Sequence, residues 1–400
     1  MMRYHLADLK KSFANKDFII LVTAVPQIVF FISQLLILRN LGLEYSGQLA
    51  YVGAISTILS VVICQRWDVE ILINTKAESE NLLTAGMISI FFYTFVFLLL
   101  LLFLGLFYQF SFLKMILLAS VSISLNELIS SYFFKNKNFN LYLFAKTSPA
   151  FLILLFSEAN YLPSEIWAFS FLCSALFSVI IINFVSLNIV NLSLIRRMFY
   201  SACFSKTYPT ITALSLTVFI SIWVILVKHG FGDIEAGIWA NTIRIFNSGI
   251  GFLILAIIPF MLSRIGDIKE KRKKILIYFK LWFFLIPCIL LTILVIMKMG
   301  GSIYEQYFQT NILISNYFLC LISLIGIIQL FVYHSQGIFQ SLEDSKSLLL
   351  NIFFSLSIIL MGTFLLNFVS FNQFIYCSFA IVLFSAFIMS YALYKALYET

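Results

Sequence analysis

About twelve long apolar segments fill this chain, and no other feature constrains its fold as strongly. A helix needs roughly 20 apolar residues to cross the hydrocarbon core of a bilayer, which is about 30 Å thick. The chain is 62% hydrophobic and 11% charged, whereas soluble domains are about 25% charged. The sequence therefore predicts an all-α polytopic membrane protein. The predicted transmembrane helices are 17–38, 45–65, 82–106, 112–134, 139–157, 164–187, 209–228, 235–262, 275–297, 311–334, 346–367 and 372–394.

The short connections between these segments alternate between rich and poor in Lys and Arg. One set holds most of the basic residues, including Lys10, Lys11, Arg66, Lys76, Lys135, Lys137, Arg196, Arg197, the run 264–274, Lys346 and Lys395. The opposite set holds Arg39, Lys114, Lys228 and Lys298. Because Lys and Arg are retained on the cytoplasmic side, both termini are predicted to be cytoplasmic. The net charge of +8 is then explained by loops that face anionic lipid, and we expect no nucleic-acid partner.

The connections carry no motif that indicates an enzyme. None is long enough to form a folded domain, and the sequence has no Gly-rich phosphate loop, H-E-x-x-H or G-x-S-x-G pattern. The three histidines are dispersed, and the six cysteines lack the paired spacing of a zinc or redox site. We therefore expect a carrier with no catalytic residues, no metal and no bound cofactor.

An internal repeat links the two halves of the sequence. The turn between the first two spans contains Gly42, Gly47 and Ala50, which recur 190 positions later as Gly232, Gly237 and Ala240. Both copies place an acidic residue between the glycines. Glycines at such positions supply unusual backbone angles and allow helices to approach closely. The repeat predicts two six-helix lobes related by an axis along the membrane normal, with an N-lobe at 1–190, a cytoplasmic linker at 191–208 and a C-lobe at 209–400.

At these positions the chain resembles a known family. Leu38-Arg39-Asn-Leu-Gly42, the run Gln65-Arg66-Trp67-Asp68-Val-Glu70-Ile71 and the second glycine turn through Arg244 and Pro259 are similar to polysaccharide flippases of the Wzx type. Glu70 departs from the small residue usual there. These flippases belong to the multidrug, oligosaccharidyl-lipid and polysaccharide exporter (MOP) superfamily, which includes the MATE drug exporters. The resemblance implies a MATE/MOP-like arrangement of the two lobes.

The resemblance also implies a substrate and a location. The substrate would be an undecaprenyl-pyrophosphate-linked oligosaccharide, an O-antigen or capsule repeat unit of polysaccharide or lipopolysaccharide biosynthesis. The chain would move it from the cytoplasmic to the periplasmic leaflet of the bacterial cytoplasmic (inner) membrane, by alternating access through a cationic central cavity. Membrane lipids, and the polymerase and chain-length machinery of polysaccharide export, are the implied partners. H⁺ or Na⁺ is the implied coupling ion.

Charges inside the predicted spans are the candidate site residues, because a charge at membrane depth is costly and commonly functional. Arg244 lies about nine residues, or roughly 13 Å, inside the eighth span, with Asn241 and Asn247 on the same helix face. Arg binds phosphate through several donors, so these three residues are predicted to bind the headgroup. A structural Arg paired with carbonyls or an acid is the alternative.

Glu127 and Lys146 are predicted to reach similar depth in the hairpin of spans four and five. They are either a buried structural pair, or a cavity cation and a carboxylate that binds the coupling ion.

Arg39 and Arg66 lie at span ends. Either they are interfacial residues whose charges reach toward water, or Arg39 contacts substrate and Arg66 forms a cytoplasmic gate by switching ion pairs with Asp68 and Glu70. Trp223 and Trp239 are weaker candidates for stacking on sugars.

Two other functions stay open. A cation-coupled multidrug exporter of the same superfamily would carry acidic residues in its cavity, whereas the charge inside these spans is net positive. A membrane-embedded glycan polymerase or ligase would carry a long outward loop, which the sequence lacks.

Overall fold

The computed structural model describes residues 2–73, 78–103, 111–159, 161–185, 207–247, 271–308, 315–341, 345–366 and 369–398. The regular elements within these ranges are helices. Their bounds are α1 Met2–Cys64, α2 Trp67–Ile73, α3 Ser79–Phe103, α4 Ser111–Lys135, α5 Phe139–Ser157, α6 Pro163–Val185, α7 Thr207–Phe231, α8 233–247, α9 Lys271–Phe308, α10 Asn316–Ser341, α11 Ser345–Leu366 and α12 Phe371–Tyr398.

Helix α1 contains the first predicted span and all but the last residue of the second. It is 63 residues long, and its helical backbone is interrupted at Gly42, where φ is 82° and ψ is −178°. Helices α7 and α8 meet at Gly232, where φ is 109°. Both glycines adopt backbone angles that residues with a Cβ rarely adopt. The repeat therefore places a glycine of positive φ at equivalent positions of the two sequence halves.

Eight helices in the described ranges are long and apolar enough to cross a membrane. Shorter apolar helices cover Asn316–Val332 and Ile352–Phe364. Much of the eighth predicted span, 235–262, lies outside the described residues, so the count of twelve stays a prediction, as does the cytoplasmic position of both termini. Large apolar side chains such as Phe95, Phe103 and Phe151 are exposed on these helices. Such surfaces suit contact with lipid rather than water.

Helix α9 runs about ten residues beyond the predicted end of its span at 297. Hydrophobicity ends the predicted span there because Lys298, Gly300 and Gly301 follow. A helix, however, continues as long as its backbone bonds are made, whatever its hydrophobicity. The predicted span and the observed helix therefore end at different residues.

The described chain divides into two compact units. Unit 1 comprises Met1–Ile32, Asn241–Leu350 and Phe368–Thr400, and unit 2 comprises Ser33–Ala240 and Asn351–Asn367. The predicted lobe bounds, 1–190 and 209–400, stay a prediction about the sequence halves. Most of the predicted linker, 191–206, lies outside the described residues.

The core of unit 2 forms where the short helix α2 packs against α3 and α4. Trp67 is its largest side chain and is 1% exposed, among buried Ile63, Leu83, Leu128 and Phe133. The Lys135 ammonium donates to the Leu72 carbonyl at 2.8 Å, which ties the end of α4 to α2. This core holds the ends of α1 and α4 together and so positions the charged residues described below.

Unit 1 is held together by aromatic contacts between its helices. Trp282 on α9 meets Phe331 on α10 edge to face, with ring centroids 5.2 Å apart. Tyr376 on α12 meets Phe318 on α10 in the same way at 5.4 Å. Such pairs stabilise beyond the area that they bury.

Candidate functional site

The two glycine turns of the repeat pack against each other within unit 2. A Cβ built on Gly47 would collide with the Asp233 carbonyl oxygen and would lie 2.7 Å from the Gly237 nitrogen. A Cβ on Gly237 would collide with the Leu43 carbonyl oxygen. Leu43 and Asp233 are 190 positions apart, as are Gly47 and Gly237, so the contact is reciprocal, as around a two-fold axis. The predicted close helix approach is confirmed, and we call these four residues the glycine clasp.

Polar contacts surround the glycine clasp. Asp233 pairs with the Lys228 ammonium at 2.9 Å and accepts a 3.1 Å hydrogen bond from the Gln48 amide. Lys228 also lies 4.3 Å from the centre of the Tyr51 ring. The sequence marked Asp233 as an acid between two glycines, but it carried no signal for Gln48 or Tyr51.

Glu127 and Lys146 are paired, as one of the two interpretations of the sequence predicted. The Lys146 ammonium donates to Glu127 Oε2 across the α4–α5 hairpin. The Lys146 side chain is 21% exposed, whereas the Glu127 side chain is 44% exposed. The Glu127 carboxylate is thus paired with Lys146 and yet is not enclosed by the protein. The pair is therefore compatible with both predicted roles, and its role in coupling stays a prediction.

Two hydroxyls and an amide, of which Ser174 and Asn126 are buried, lie between α4, α5 and α6 near this ion pair. Ser174 Oγ is 2.6 Å from Ser148 Oγ, and it lies within hydrogen-bond distance of Asn126 Oδ1 and of the Ala145 carbonyl. Small residues allow such close interhelical bonds in membrane proteins. The sequence analysis did not identify this cluster of Asn126, Ser148 and Ser174. The recurrence of Ser in three neighbouring spans was the signal that could have indicated it.

Arg66 and Asp68 lie in the same part of unit 2 as Glu127 and Lys146. Gln65 and Arg66 form a left-handed turn, with φ of 48° and 61°, which separates α1 from α2. Asp68 accepts a 3.7 Å hydrogen bond from Cys64 Sγ, and its helix, α2, packs against α4, which carries Glu127. The structure thus brings together the predicted gating residues and the predicted coupling pair. Their gating role stays a prediction.

Arg39 is elsewhere in unit 2. Its side chain is exposed on α1, next to Asn40, whose amide donates to Glu158 at 2.9 Å. This position suits an interfacial Arg, and a contact with substrate stays a prediction.

Arg244 lies in α8, within unit 1, and is half-buried. Asn241 and Asn247 are 1% and 4% exposed. The Asn247 amide donates to the Ser323 carbonyl at 2.9 Å and accepts from the Ser323 hydroxyl at 2.5 Å. Asn247 therefore has a structural partner on α10, which sequence spacing did not indicate. Binding of a headgroup by Arg244, Asn241 and Asn247 stays a prediction.

The two tryptophans considered as sugar platforms are unsuited to that role. Trp223 and Trp239 are fully buried, and their rings stack on each other with centroids 6.1 Å apart. Both ring faces therefore belong to the protein interior.

Within the described ranges, no group of three or more His, Cys, Asp or Glu is arranged to hold a metal ion.

Comparison with known proteins identifies the fold. No protein-family model and no curated protein matches the sequence. Solved structures do match along almost the whole chain. An inward-facing multidrug resistance MATE family transporter of the MOP superfamily has a TM-score of 0.64 and 13% identity, with 96% of this chain and 99% of that chain covered.

Two further structures extend this likeness. A MATE transporter of Vibrio cholerae has a TM-score of 0.59 and 14% identity, over 98% of each chain. A MOP superfamily transporter from Pyrococcus furiosus, described as having a binding pocket of reversed polarity that suggests a different function, has a TM-score of 0.57 and 13% identity over 95% of each chain. The chain therefore has the fold of the MATE transporters, and its apolar helices make it a multi-pass membrane protein.

Proposed function

We propose that this chain, which has the fold of MATE transporters of the MOP superfamily, is a flippase for undecaprenyl-pyrophosphate-linked oligosaccharide in the bacterial cytoplasmic membrane. It would move the O-antigen or capsule repeat unit to the periplasmic leaflet by alternating access. Arg244 carries the proposal. It is half-buried on α8, within the eighth predicted span, and Asn241 and Asn247, three residues away on either side, are buried.

The chemistry of the substrate explains why a cation is needed at this depth. A pyrophosphate and a sugar headgroup must cross about 30 Å of hydrocarbon, where each unsatisfied polar group costs several kcal/mol. Arg stays protonated and offers a planar fork of donors that matches phosphate oxygens. The Asn241 amide would offer a further donor and acceptor to sugar hydroxyls. Asn247 would reach them only by exchanging its two hydrogen bonds with Ser323. The same residues would have little to offer a cationic drug.

The charge of the second candidate cluster supports the same substrate class. Lys146 adds another cation within a span, and Glu127, its partner, is accessible enough to exchange a coupling ion. A MOP transporter of this fold whose pocket polarity is reversed is already known. An anionic substrate is therefore compatible with the fold. Assembly with the polymerase and chain-length machinery of polysaccharide export is part of the proposal.

A cation-coupled multidrug exporter is the second candidate. It is favoured by the multidrug transporters among the structures of similar fold and by the 44% exposure of the Glu127 side chain. An accessible carboxylate attracts organic cations. The two candidates differ in the charge of the substrate, so one assay can separate them.

The test uses the purified protein in proteoliposomes with two substrates, a lipid-linked oligosaccharide and a fluorescent organic cation. A flippase accelerates translocation of the lipid, measured by accessibility of its sugar to an external glycosidase. Arg244→Ala should reduce this rate at least about tenfold, because a charge-assisted phosphate contact is lost. Arg244→Lys should recover part of it, because the charge remains while the fork is lost.

Lys298→Ala is the matched control, since it removes a cation at an exposed position. It should leave translocation of the lipid unchanged. Transport of the organic cation with no translocation of the lipid, unaffected by Arg244→Ala, would instead identify a drug exporter.

A further inference from the structure

Helix α9 contains two adjacent glycines near its C-terminal end, where the Asn316 side chain of α10 makes hydrogen bonds to its backbone. We call these two hydrogen bonds the Asn316 brace. Gly300 and Gly301 are adjacent in the helix, and glycine is a poor helix former because it loses much backbone freedom. The Asn316 amide donates to the Met297 carbonyl at 3.0 Å and accepts from the Gly301 N–H at 2.6 Å. In an α-helix, the N–H of residue 301 would bond to the carbonyl of residue 297. The Asn316 side chain therefore links the same two backbone groups that one helical hydrogen bond joins.

The glycines leave room for this brace. A Cβ on either Gly300 or Gly301 would lie 3.2 Å from Asn316 Oδ1, closer than ordinary van der Waals contact. Asn316 is also the first residue of α10. The start of one helix therefore supports the end of the other.

Beyond the brace, α9 contacts the helix that carries Arg244. Tyr304 is fully buried, and its hydroxyl is 2.9 Å from the Thr242 hydroxyl. Thr242 is also fully buried and lies two residues before Arg244. Tyr304 therefore holds one end of the segment 241–247.

Helix α10 holds the other end of that segment. Ser323 on α10 makes the two reciprocal hydrogen bonds with Asn247, three residues after Arg244. Gly326 on α10 makes this approach possible, because a Cβ there would collide with the Asn247 amide. Three contacts now form a closed circuit: Thr242 with Tyr304, Gly301 with Asn316, and Ser323 with Asn247. All of these residues belong to unit 1.

We propose that Tyr304 and Asn316 are positioning residues for an anion site at Arg244. The circuit fixes the rotation of α8, so that the guanidinium is presented to a lipid pyrophosphate in one orientation. Preorganised donors bind an anion more tightly than mobile ones, because less freedom is lost on binding. The inference rests on the proposed function, since it takes the ligand class of Arg244 from there.

The experiment is a double-mutant cycle on ligand affinity. The full-length protein in nanodiscs is titrated with undecaprenyl pyrophosphate, and the apparent Kd is measured. Tyr304→Phe, which removes only the hydroxyl, should weaken binding about three- to tenfold. In an Arg244→Gln background the same change should leave the Kd unchanged, because the group that it positions is gone.

Variants and controls separate positioning from a general loss of structure. Asn316→Ala, which removes a different contact of the circuit, should weaken binding as Tyr304→Phe does. If Tyr304→Phe fails to fold, Thr242→Val removes the same hydrogen bond and replaces it in the cycle. Tyr391→Phe and Asn138→Ala are matched controls at exposed positions and should leave the Kd unchanged.

The outcomes distinguish the two proposals. Tyr304→Phe could weaken binding equally in the wild-type and Arg244→Gln proteins, or in neither of them. Either result would overturn the positioning role alone. An Arg244→Gln protein that binds undecaprenyl pyrophosphate as tightly as the parent would overturn the proposed site, and this inference with it.

Discussion

At the scale of single residues, burial and pairing distinguish the charged groups of the predicted spans. Glu127 and Lys146 form a pair, but the two side chains differ twofold in exposure. The more accessible partner, Glu127, is the one that we propose to exchange a coupling ion. Arg244 is instead half-buried, and the amides of Asn241 and Asn247, three residues away on either side along α8, are buried.

The Glu127–Lys146 pair gives a residue-scale prediction about stability. Glu127→Gln and Lys146→Met should each destabilise the protein by about 1–2 kcal/mol, below the 3–5 kcal/mol of a fully buried pair because Glu127 is partly solvated. The double mutant should recover much of this loss, since no unpaired charge remains. Denaturant unfolding of the purified protein in detergent measures these values. A double mutant no more stable than the weaker single mutant would contradict the prediction.

At the scale of helices, glycine decides where the chain turns and where helices touch. Gly42 and Gly232 have positive φ, whereas Gly47 and Gly237 sit in contacts with no room for a Cβ. The same four glycines are the ones that recur in the sequence. The repeat is thus explained by two separate physical needs, backbone conformation and close helix approach.

The glycine clasp gives a prediction at this scale. Gly47→Ala and Gly237→Ala should each lower the free energy of unfolding by about 1–3 kcal/mol, because the added methyl group meets backbone atoms that cannot move independently. The double mutant should lose less stability than the two single mutants added together, because both methyl groups push apart the same two helices.

Gly42→Ala is the contrasting variant for this experiment. No atom lies within 4 Å of its Cβ position, so the substitution should lower the free energy of unfolding through backbone strain alone, by about 1–3 kcal/mol. Thermal or denaturant unfolding ranks the variants. Wild-type stability of Gly47→Ala would show that the two turns do not pack as described.

At the scale of the whole molecule, transport requires a defined orientation in the membrane. The Lys and Arg pattern predicts that the glycine turns are outside and the α4–α5 connection is inside. Glu44→Cys and Lys137→Cys place one thiol at each of these exposed positions after the native cysteines are replaced. An impermeant thiol reagent applied to intact cells should label residue 44 and leave residue 137 unlabelled until the cells are lysed. The reverse pattern would overturn the predicted topology.

Much of the architecture followed from the sequence because the physics involved is local. A bilayer demands about 20 apolar residues per helix, so composition alone indicated a multi-pass membrane protein. The hairpin spacing alone placed Glu127 and Lys146 at similar depth. The recurrence of glycines 190 positions apart was enough to predict close helix approach, because glycine permits it wherever it occurs.

The tertiary structure decided which helices and side chains meet, because that depends on the rotation of each helix about its axis. A pattern of apolar residues cannot specify this rotation in a helix that is apolar on every side. Trp223 and Trp239 therefore pack on each other instead of presenting a face to sugars. Asn247 bonds Ser323, and Asn316 braces a helix that hydrophobicity alone would end at 297. Hydropathy along one helix determined that it enters the membrane, whereas contacts between helices determined the partner of each polar group inside it.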